Sequence, residues 1–190
     1  MPNYRRANIE GGTYFFTVTT LRRQPFLVAP EIRIALREAI HTVRLTLPFS
    51  IDAWVLLPDH LHCIWTLPPN DANFATRWRL LKTKVTQRCG EKFGCEVYLT
   101  ARRRKKGQGS LWQNRYWEHQ IRDEQDFARH ADYTHWNPVK HGHVKYVSDW
   151  PYSGFIAMFG KVFIRATGQP AKMEKQGDLG NVVDWPDWRV

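Results

Sequence analysis

The sequence has few cysteines and no long apolar run. Its three cysteines, Cys63, Cys89 and Cys95, are odd in number, and their spacing matches neither a disulfide framework nor a zinc site. No stretch of the 190 residues approaches the apolar length that spans a bilayer, and residues 1–12 lack the apolar core of a signal peptide. These absences predict a cytoplasmic protein with reduced thiols and without a membrane partner.

Acidic residues are also scarce relative to basic ones. Eighteen Asp and Glu stand against 28 Lys and Arg, which gives a formal net charge of +10. Such a charge favours polyanionic partners, and nucleic acid is the first candidate. An anionic membrane fits poorly because no basic amphipathic helix with an apolar anchor is evident. Aromatic residues, by contrast, make up 14% of the chain and include nine Trp.

Hydrophobic patterning predicts an α+β protein. Runs of β-branched and aromatic residues predict strands at 13–20, 49–57, 61–67 and 111–121, and helical spacing predicts helices at 30–47, 74–88 and 124–136. Asp123 is placed to cap the last helix and Pro138 to end it. This order indicates a ferredoxin-like antiparallel sheet with helices packed on one face. The domain is predicted to span residues 1–160, with a loop at 94–110 and a C-terminal tail at 161–190.

His60 and His62 open the third predicted strand. Side chains alternate along a strand, so the two histidines point to one face while Leu61, Cys63 and Trp65 form an apolar face. Two imidazoles on one side can reach the same metal ion. A His-x-His pair also occurs by chance on exposed strands, so this motif alone favours a polar strand surface over a metal site.

The last predicted helix carries a tyrosine away from its apolar stripe. The arc that should face the core consists of Phe127, Ala128, Ala131 and Thr134. Arg129, Tyr133 and Asn137 lie four residues apart on the other side. An Asn carbonyl oxygen can bind a hard cation, so the Tyr133–Asn137 pair is unusual for core packing. The alternative is that Tyr133 is a surface aromatic packed against a loop.

Taken together, these motifs resemble the HUH single-tyrosine transposases, and most closely the REP-associated tyrosine transposases of bacteria. The resemblance spans roughly residues 4–155 and rests on separated segments in the same order: 4–6 with 11–17, 53–68, 112–113 with 115–119, and 132–142. It implies that Tyr133 is the nucleophile, that His60 and His62 bind a divalent metal, Mg²⁺ or Mn²⁺, and that Asn137 supplies the third ligand.

The resemblance also implies an activity and a substrate. The expected enzyme is a metal-dependent single-stranded DNA endonuclease and strand transferase that acts at palindromic hairpin repeats through a covalent 5′-phosphotyrosine intermediate. Its partner would be single-stranded or hairpin DNA of a bacterial chromosome, which agrees with a cytoplasmic location. Both a monomer and a homodimer are compatible with this function.

Candidate DNA contacts combine cations, which neutralise phosphates, with aromatics, which stack on unpaired bases. The candidates are Tyr4, Arg5, Arg6, the basic run Arg102, Arg103, Arg104, Lys105 and Lys106, then Arg115 and Lys140. The basic run is equally suited to being a mobile, solvated loop. For most of the aromatic residues of these segments, which include Trp112, Tyr116 and Trp117, core packing is the better interpretation.

Two other functions are compatible with the same residues. In a metal-dependent nuclease, activated water would attack and Tyr133 would only bind DNA; such an enzyme leaves no protein attached to a DNA end. A non-catalytic hairpin-binding protein is the second alternative. The intact set His60, His62, Tyr133 and Asn137 argues against it, because a decayed site should have lost at least one member.

Overall fold

A four-stranded antiparallel sheet organises the part of the chain that the computed structural model describes, residues 9–105 and 109–154. The strands are β1 (Thr13–Thr19), β2 (Ser50–Leu56), β3 (His60–Thr66) and β4 (Trp117–Gln120). The helices are α1 (Pro30–Thr46), α2 (Phe74–Phe93), the short α3 (Ala101–Lys105) and α4 (Glu124–Lys140). The strands lie side by side in the order β2-β3-β1-β4, which confirms the α+β, ferredoxin-like class.

A tight turn joins β2 to β3 and places the histidines. Leu57, Pro58 and Asp59 connect the strands, and the Leu57 N–H donates to the His60 carbonyl at 2.8 Å, which closes an antiparallel hairpin. β3 then pairs with β1 along its whole length, with Thr19 opposite His60 and Thr13 opposite Thr66. β3 is therefore a central strand that has neighbours on both edges.

One face of the sheet packs against α1 and α2. Leu61, Cys63 and Trp65 lie in this core, and the Trp65 ring stacks on Trp78 of α2 with 4.1 Å between centroids. Burying a large apolar side chain stabilises a fold by roughly 1.5–3 kcal/mol, so this face fixes the register of β3. A slip of one residue would place the histidines in this core and move Trp65 to the opposite face.

The other face of the sheet is covered by α4, which packs against β2 and β3. Phe15, Ala53 and Ile64 form a small buried cluster there, with Phe127 and Ala131 of α4 against it. The expectation that every helix lies on one face was wrong in this respect. Central strands buried on both sides carry apolar residues in succession, as in the Tyr-Phe-Phe run of β1, and this run contained the signal for a second layer.

The last helix begins where the sequence predicted and ends later. The Asp126 N–H donates to Asp123 Oδ1 at 2.7 Å, which confirms the cap. Pro138 does not end α4, because a proline near a helix C-terminus removes only one hydrogen bond. The helix continues to Lys140, and the His141 N–H donates to the Asn137 carbonyl at 3.0 Å.

The region before β4 differs from the prediction. The strand begins at Trp117 instead of residue 111, because the exposed polar residues 113–115 interrupt it, although Trp112 forms an isolated bridge to Thr20. Residues 101–105 of the predicted loop are helical. No helix within 9–105 and 109–154 is long and apolar enough to cross a membrane. Tyr4, Arg5, Arg6, Lys106 and the predicted tail lie outside the described residues.

Candidate active site

His60 and His62 project from β3 onto the sheet face that α4 covers. Their ring centroids are 4.9 Å apart and the rings are nearly perpendicular. Both side chains are buried, and the predicted alternation is confirmed because Leu61 and Cys63 lie in the core of the opposite face. Two imidazoles this close on one side of a strand can ligate one ion.

Each histidine is oriented through its Nδ1 atom. His62 Nδ1 lies 2.8 Å from Thr17 Oγ1, and His60 Nδ1 lies 2.6 Å from Asp59 Oδ1. Burial raises the pKa of Asp59, but hydrogen bonds from His60 and Arg23 outweigh it and hold that pKa below its usual value. Partners on Nδ1 direct the two Nε2 atoms toward another ligand, as they do in metal-binding histidines.

His62 is held neutral by its surroundings. Burial lowers its pKa to about 3, and the neighbouring His60 and His141 contribute to the decrease. Neutral imidazole is the form that binds metal ions. His62 Nε2 is buried and has no hydrogen-bond partner among the described residues. A buried polar atom without a partner is costly, so this nitrogen is a candidate ligand atom.

Tyr133 faces the histidine pair from α4. Its ring centroid lies 5.1 Å from that of His62 and 5.9 Å from that of Phe15. The side chain is 41% exposed, so a substrate can reach it while the two ring contacts limit its movement. Lys140 Nζ lies 5.0 Å from the ring centroid and supplies a positive charge next to it.

Asn137 lies one turn beyond Tyr133 and is fully buried beside His62. Its amide partly offsets the effect of burial on the pKa of His62. Neither polar atom of that amide meets the geometry of a hydrogen bond to another residue in the described ranges. Asn137 therefore offers a carbonyl oxygen close to the candidate ligand atom of His62.

The predicted core arc of α4 needs a correction. Phe127, Ala131 and Thr134 face the sheet as expected, but Ala128 is exposed and Asn137 is buried. The C-terminal end of α4 covers the histidine end of β3, where polar groups can be accommodated. His141 follows α4, and its ring lies 5.3 Å from that of His60.

A second group of possible metal ligands lies near β4. His119 Nε2 is 2.8 Å from Asp126 Oδ2, and His130 Nδ1 is 3.2 Å from Asp126 Oδ1 and 2.8 Å from the Asp126 carbonyl oxygen. These three side chains could hold an ion. The Asp126 carboxylate also accepts the Arg122 N–H, and the hydrogen bond from His119 lowers the pKa of Asp126. The cluster is therefore a hydrogen-bond network that joins β4 to α4, unlike the unpaired Nε2 of His62.

The basic run is not uniformly solvated. Arg103 donates to the carbonyl oxygens of Gly109 and Trp112 at 2.6 and 2.9 Å, so its guanidinium holds the chain that leads to β4. Arg102, Arg104 and Lys105 are exposed. Of the two interpretations of the basic run, the solvated loop therefore does not describe Arg103.

The structure brings His60, His62, Tyr133 and Asn137 together, with Lys140 at their edge. Arg115 is exposed just before β4. Sequence reasoning missed Thr17, whose role depends on its position opposite His62 in the β1–β3 pairing. It also assigned no role to Asp59, although its position next to His60 was a signal that could have been used.

Comparisons with known proteins agree with this geometry. Residues 8–135 match the family model described as "Transposase IS200 like". The chain is 46% identical over 155 residues to the REP-associated tyrosine transposase of Escherichia coli K12, and the match covers 82% of this chain and 83% of that protein. A solved structure of a REP-associated tyrosine transposase bound to a REP hairpin is similar with a TM-score of 0.73 and 40% identity, covering 96% of this chain and 99% of that one.

These similarities define the protein as a tyrosine transposase, an enzyme that cleaves and rejoins DNA. The chain belongs to the family of IS200-like transposases, and the relatives described above are REP-associated tyrosine transposases. The resemblance drawn from the sequence motifs is thereby confirmed.

Proposed function

We propose that the protein cleaves and rejoins single-stranded DNA at REP hairpins, with Tyr133 as the nucleophile. One observation carries this proposal: a half-exposed tyrosine ring lies 5.1 Å from the ring of a buried, neutral histidine whose Nε2 has no partner in the described part of the chain. The proposed nucleophile, Tyr133, and the candidate metal ligand, His62, are therefore adjacent. Chromosomal hairpins as substrate agree with a location in the bacterial cytoplasm.

The donor atoms suit a divalent metal. His60, His62 and Asn137 offer two imidazole nitrogens and an amide oxygen, and the buried atoms of His62 and Asn137 would gain the partner they lack. These neutral ligands leave the ion its full charge. When bound, Mg²⁺ or Mn²⁺ would polarise a non-bridging phosphate oxygen and neutralise the charge that develops during attack.

The chemical step that we assign to Tyr133 is a transesterification. Its phenolic oxygen attacks the phosphorus and loses its proton, the bond from phosphorus to the 3′-oxygen breaks, and that oxygen leaves as a hydroxyl. The product is a 5′-phosphotyrosine. A bond from phosphorus to the tyrosine oxygen replaces the bond to the 3′-oxygen, so the phosphate remains a diester. A 3′-hydroxyl can therefore reverse the step and rejoin DNA without an external energy source. Phe15 and His62 hold the ring during both steps.

Exposed cations suit the DNA backbone. We assign phosphate contacts to Arg102, Arg104, Lys105, Arg115 and Lys140, whose side chains are exposed. Tyr4, Arg5, Arg6 and Lys106 stay predictions from the sequence.

A single assay tests this function. Labelled hairpin DNA with a single-stranded flank is incubated with the protein and Mg²⁺, and denatured products are separated. We expect a protein–DNA adduct whose modified peptide contains Tyr133, and no adduct in chelator. Cleavage without an adduct would indicate a water-activating nuclease, and binding without cleavage would indicate a non-catalytic protein. Either result would overturn the proposal.

A further inference from the structure

An exposed tryptophan lies on the same sheet face as the histidine pair. Trp117 of β4 stands opposite Thr17 of β1, and Thr17 contacts His62. Directly opposite residues of an antiparallel pair project to the same face, so Trp117 lies on the α4 side of the sheet. It is 52% exposed, whereas Trp112 is buried and Tyr116 packs against the main core. Trp117 is therefore exposed to solvent, whereas Trp112 and Tyr116 pack in the main core.

Trp117 is braced from one side by a column of rings. Its ring is stacked on His119 with 5.8 Å between centroids and 6° between planes, and His119 is stacked on His130 at 4.5 Å and 14°. Asp126 binds both imidazoles by hydrogen bonds, His119 through its carboxylate and His130 through its backbone carbonyl oxygen. The indole therefore has a restricted orientation and still keeps half of its surface open to solvent. Such a ring loses little conformational entropy when a planar group stacks on it.

Phe15 connects this column to the nucleophile. The Phe15 ring centroid lies 5.6 Å from that of Trp117 and 5.9 Å from that of Tyr133. A single aromatic ring therefore separates the exposed tryptophan from the tyrosine that attacks the phosphate.

Positive charge surrounds the same position. The exposed guanidinium groups of Arg122 and Arg129 lie 3.9 and 3.8 Å from the carboxylate of Asp126, which also bonds to His119. Arg115 is exposed two residues before Trp117. An exposed aromatic ring among cations is the arrangement by which proteins hold single strands, since the ring takes a base and the cations take phosphates.

We propose that Trp117 stacks on one unpaired base beside the scissile phosphate and so positions the strand for attack by Tyr133. This inference rests on the proposed function, because it takes the strand at Tyr133 to be single-stranded DNA. The base must be unpaired, since the bases of a duplex already stack on their neighbours. Trp117 is accordingly a positioning residue that selects the single-stranded flank over the hairpin stem.

The test measures stacking directly, in the full chain carrying Tyr133→Phe so that the DNA stays intact. 2-Aminopurine is placed at successive flank positions of the hairpin, and its fluorescence is followed on binding. We expect quenching at one position with Trp117 and with Trp117→Phe, and its loss with Trp117→Leu. Affinity should fall by roughly tenfold for Trp117→Leu and much less for Trp117→Phe, in line with the contribution of a base–aromatic stack.

An abasic nucleotide at the quenched position gives an independent measurement. If the indole stacks on that base, Trp117→Leu should weaken binding to intact DNA but add nothing on abasic DNA. Leu45→Ala, which removes an exposed side chain from α1 on the opposite face, is the control and should change neither quantity. Equal affinity and quenching for Trp117 and Trp117→Leu would overturn the inference, as would an equal decrease on abasic DNA. If Trp117→Leu fails to fold, the Trp117→Phe variant and the abasic DNA still decide.

Failure of this inference differs from failure of the proposed function. The function fails if the unmodified protein forms no tyrosine adduct, whatever Trp117 does. The inference fails if the adduct forms while replacement of Trp117 leaves the fluorescence and the affinity unchanged.

Discussion

At the scale of single residues, Tyr133 combines a held ring with a reachable hydroxyl. Contacts with Phe15 and His62 fix the ring, and 41% of the residue is exposed, so a substrate can reach the side chain. Phenylalanine retains both ring contacts and removes only the oxygen. Tyr133→Phe should therefore lower cleavage by several orders of magnitude while hairpin affinity stays nearly unchanged.

Adduct formation and hairpin affinity check this expectation in one preparation. Tyr146→Phe is the matched control, because Tyr146 is another exposed tyrosine, in the segment after α4. It should keep both activities. Comparable cutting by Tyr133→Phe would show that another group attacks the phosphate.

The orientation of His62 is also a single-residue property. Thr17 Oγ1 lies 2.8 Å from His62 Nδ1, and loss of such a partner typically lowers metal affinity about 10–100-fold. Thr17→Val removes the hydroxyl and keeps a β-branched side chain suited to the strand. We expect the variant to need more Mn²⁺ for half-maximal cleavage and to recover much of its rate at saturating metal.

Thr13→Val provides the control for Thr17→Val. Thr13 lies on the same strand and face, but its hydroxyl bonds to Thr66 at 2.8 Å, away from the histidines. Its metal dependence should match that of the parent protein. If the two valine variants have the same metal titration, Thr17 does not orient a ligand.

At the scale of elements, the position of α4 decides whether the site exists. The proposed nucleophile and the candidate amide ligand are on α4, while the histidines are on β3. The network of His119, Asp126 and His130 connects α4 to β4. This network therefore helps to keep Tyr133 above the sheet.

Asp126 gives this connection a pH dependence that can be measured. The hydrogen bond from His119 lowers the pKa of Asp126 in the folded protein, with the Arg122 N–H and His130 adding to the effect and Arg129 nearby. A carboxyl whose pKa is lower in the folded than in the unfolded state stabilises the fold above its unfolded pKa, and the contribution disappears as pH falls through the folded pKa. That stabilisation should be complete at neutral pH and lost in acid below about pH 4.

Asp126→Asn should lower Tm at neutral pH by several degrees. A hydrogen bond to a charged group is worth about 1.5–3 kcal/mol, and 1 kcal/mol shifts Tm by roughly 2–4 °C in a protein of this size. The difference from the parent should shrink in acid. Asp132→Asn, an exposed carboxyl on the same helix, is the control, and calorimetry across pH makes the measurement. A Tm difference that stays constant down to the most acidic pH would contradict the assigned role.

The elements also show what sequence reasoning can reach. Strand alternation was enough to place His60 and His62 on one face, because the apolar Leu61, Cys63 and Trp65 had to face the core. Helical periodicity was enough to bring Tyr133 and Asn137 to the same region of α4. Local rules of this kind work because each depends on neighbours a few residues away.

Features that depend on pairing between distant segments could not be predicted in the same way. Thr17 and Trp117 gain their positions from the register of β1 with β3 and β4, which no local pattern specifies. Pro138 was expected to end α4, but packing of the C-terminal turn near β3 outweighs the loss of one hydrogen bond. Asn137 was expected outside the core arc because helical periodicity considers α4 alone. Its burial depends on the histidines of β3, which lie under it and are distant in sequence.

At the scale of the whole molecule, the two faces of the sheet have different roles. The face under α1 and α2 holds the main hydrophobic core, and the face under α4 holds the candidate site, with an exposed aromatic and cations at the β4 edge. A net charge of +10 favours DNA in general, but it does not show which cations touch phosphates. The dependence of affinity on salt can show it.

The basic run allows this measurement because its residues differ in structure. Arg102, Arg104 and Lys105 are exposed and can meet phosphates, whereas Arg103 is held by the carbonyls of Gly109 and Trp112. Replacing the three exposed residues by Gln should weaken binding to every hairpin by a similar factor. Sequence preference and cleavage at saturating DNA should persist, because phosphate contacts position nucleic acid without reading it.

The size of the salt effect shows how many phosphates the basic run neutralises. The slope of log affinity against log salt should flatten by about 0.7 for each phosphate that the variant no longer neutralises on a single strand, and by about 0.9 on a duplex stem. A control that removes three charges from α1 and α2, Arg37→Gln with Arg79→Gln and Lys84→Gln, matches the change in net charge without altering the basic run. We expect it to leave the slope close to that of the parent. If both triple variants change the slope equally, only the overall charge matters and the basic run makes no phosphate contact of its own.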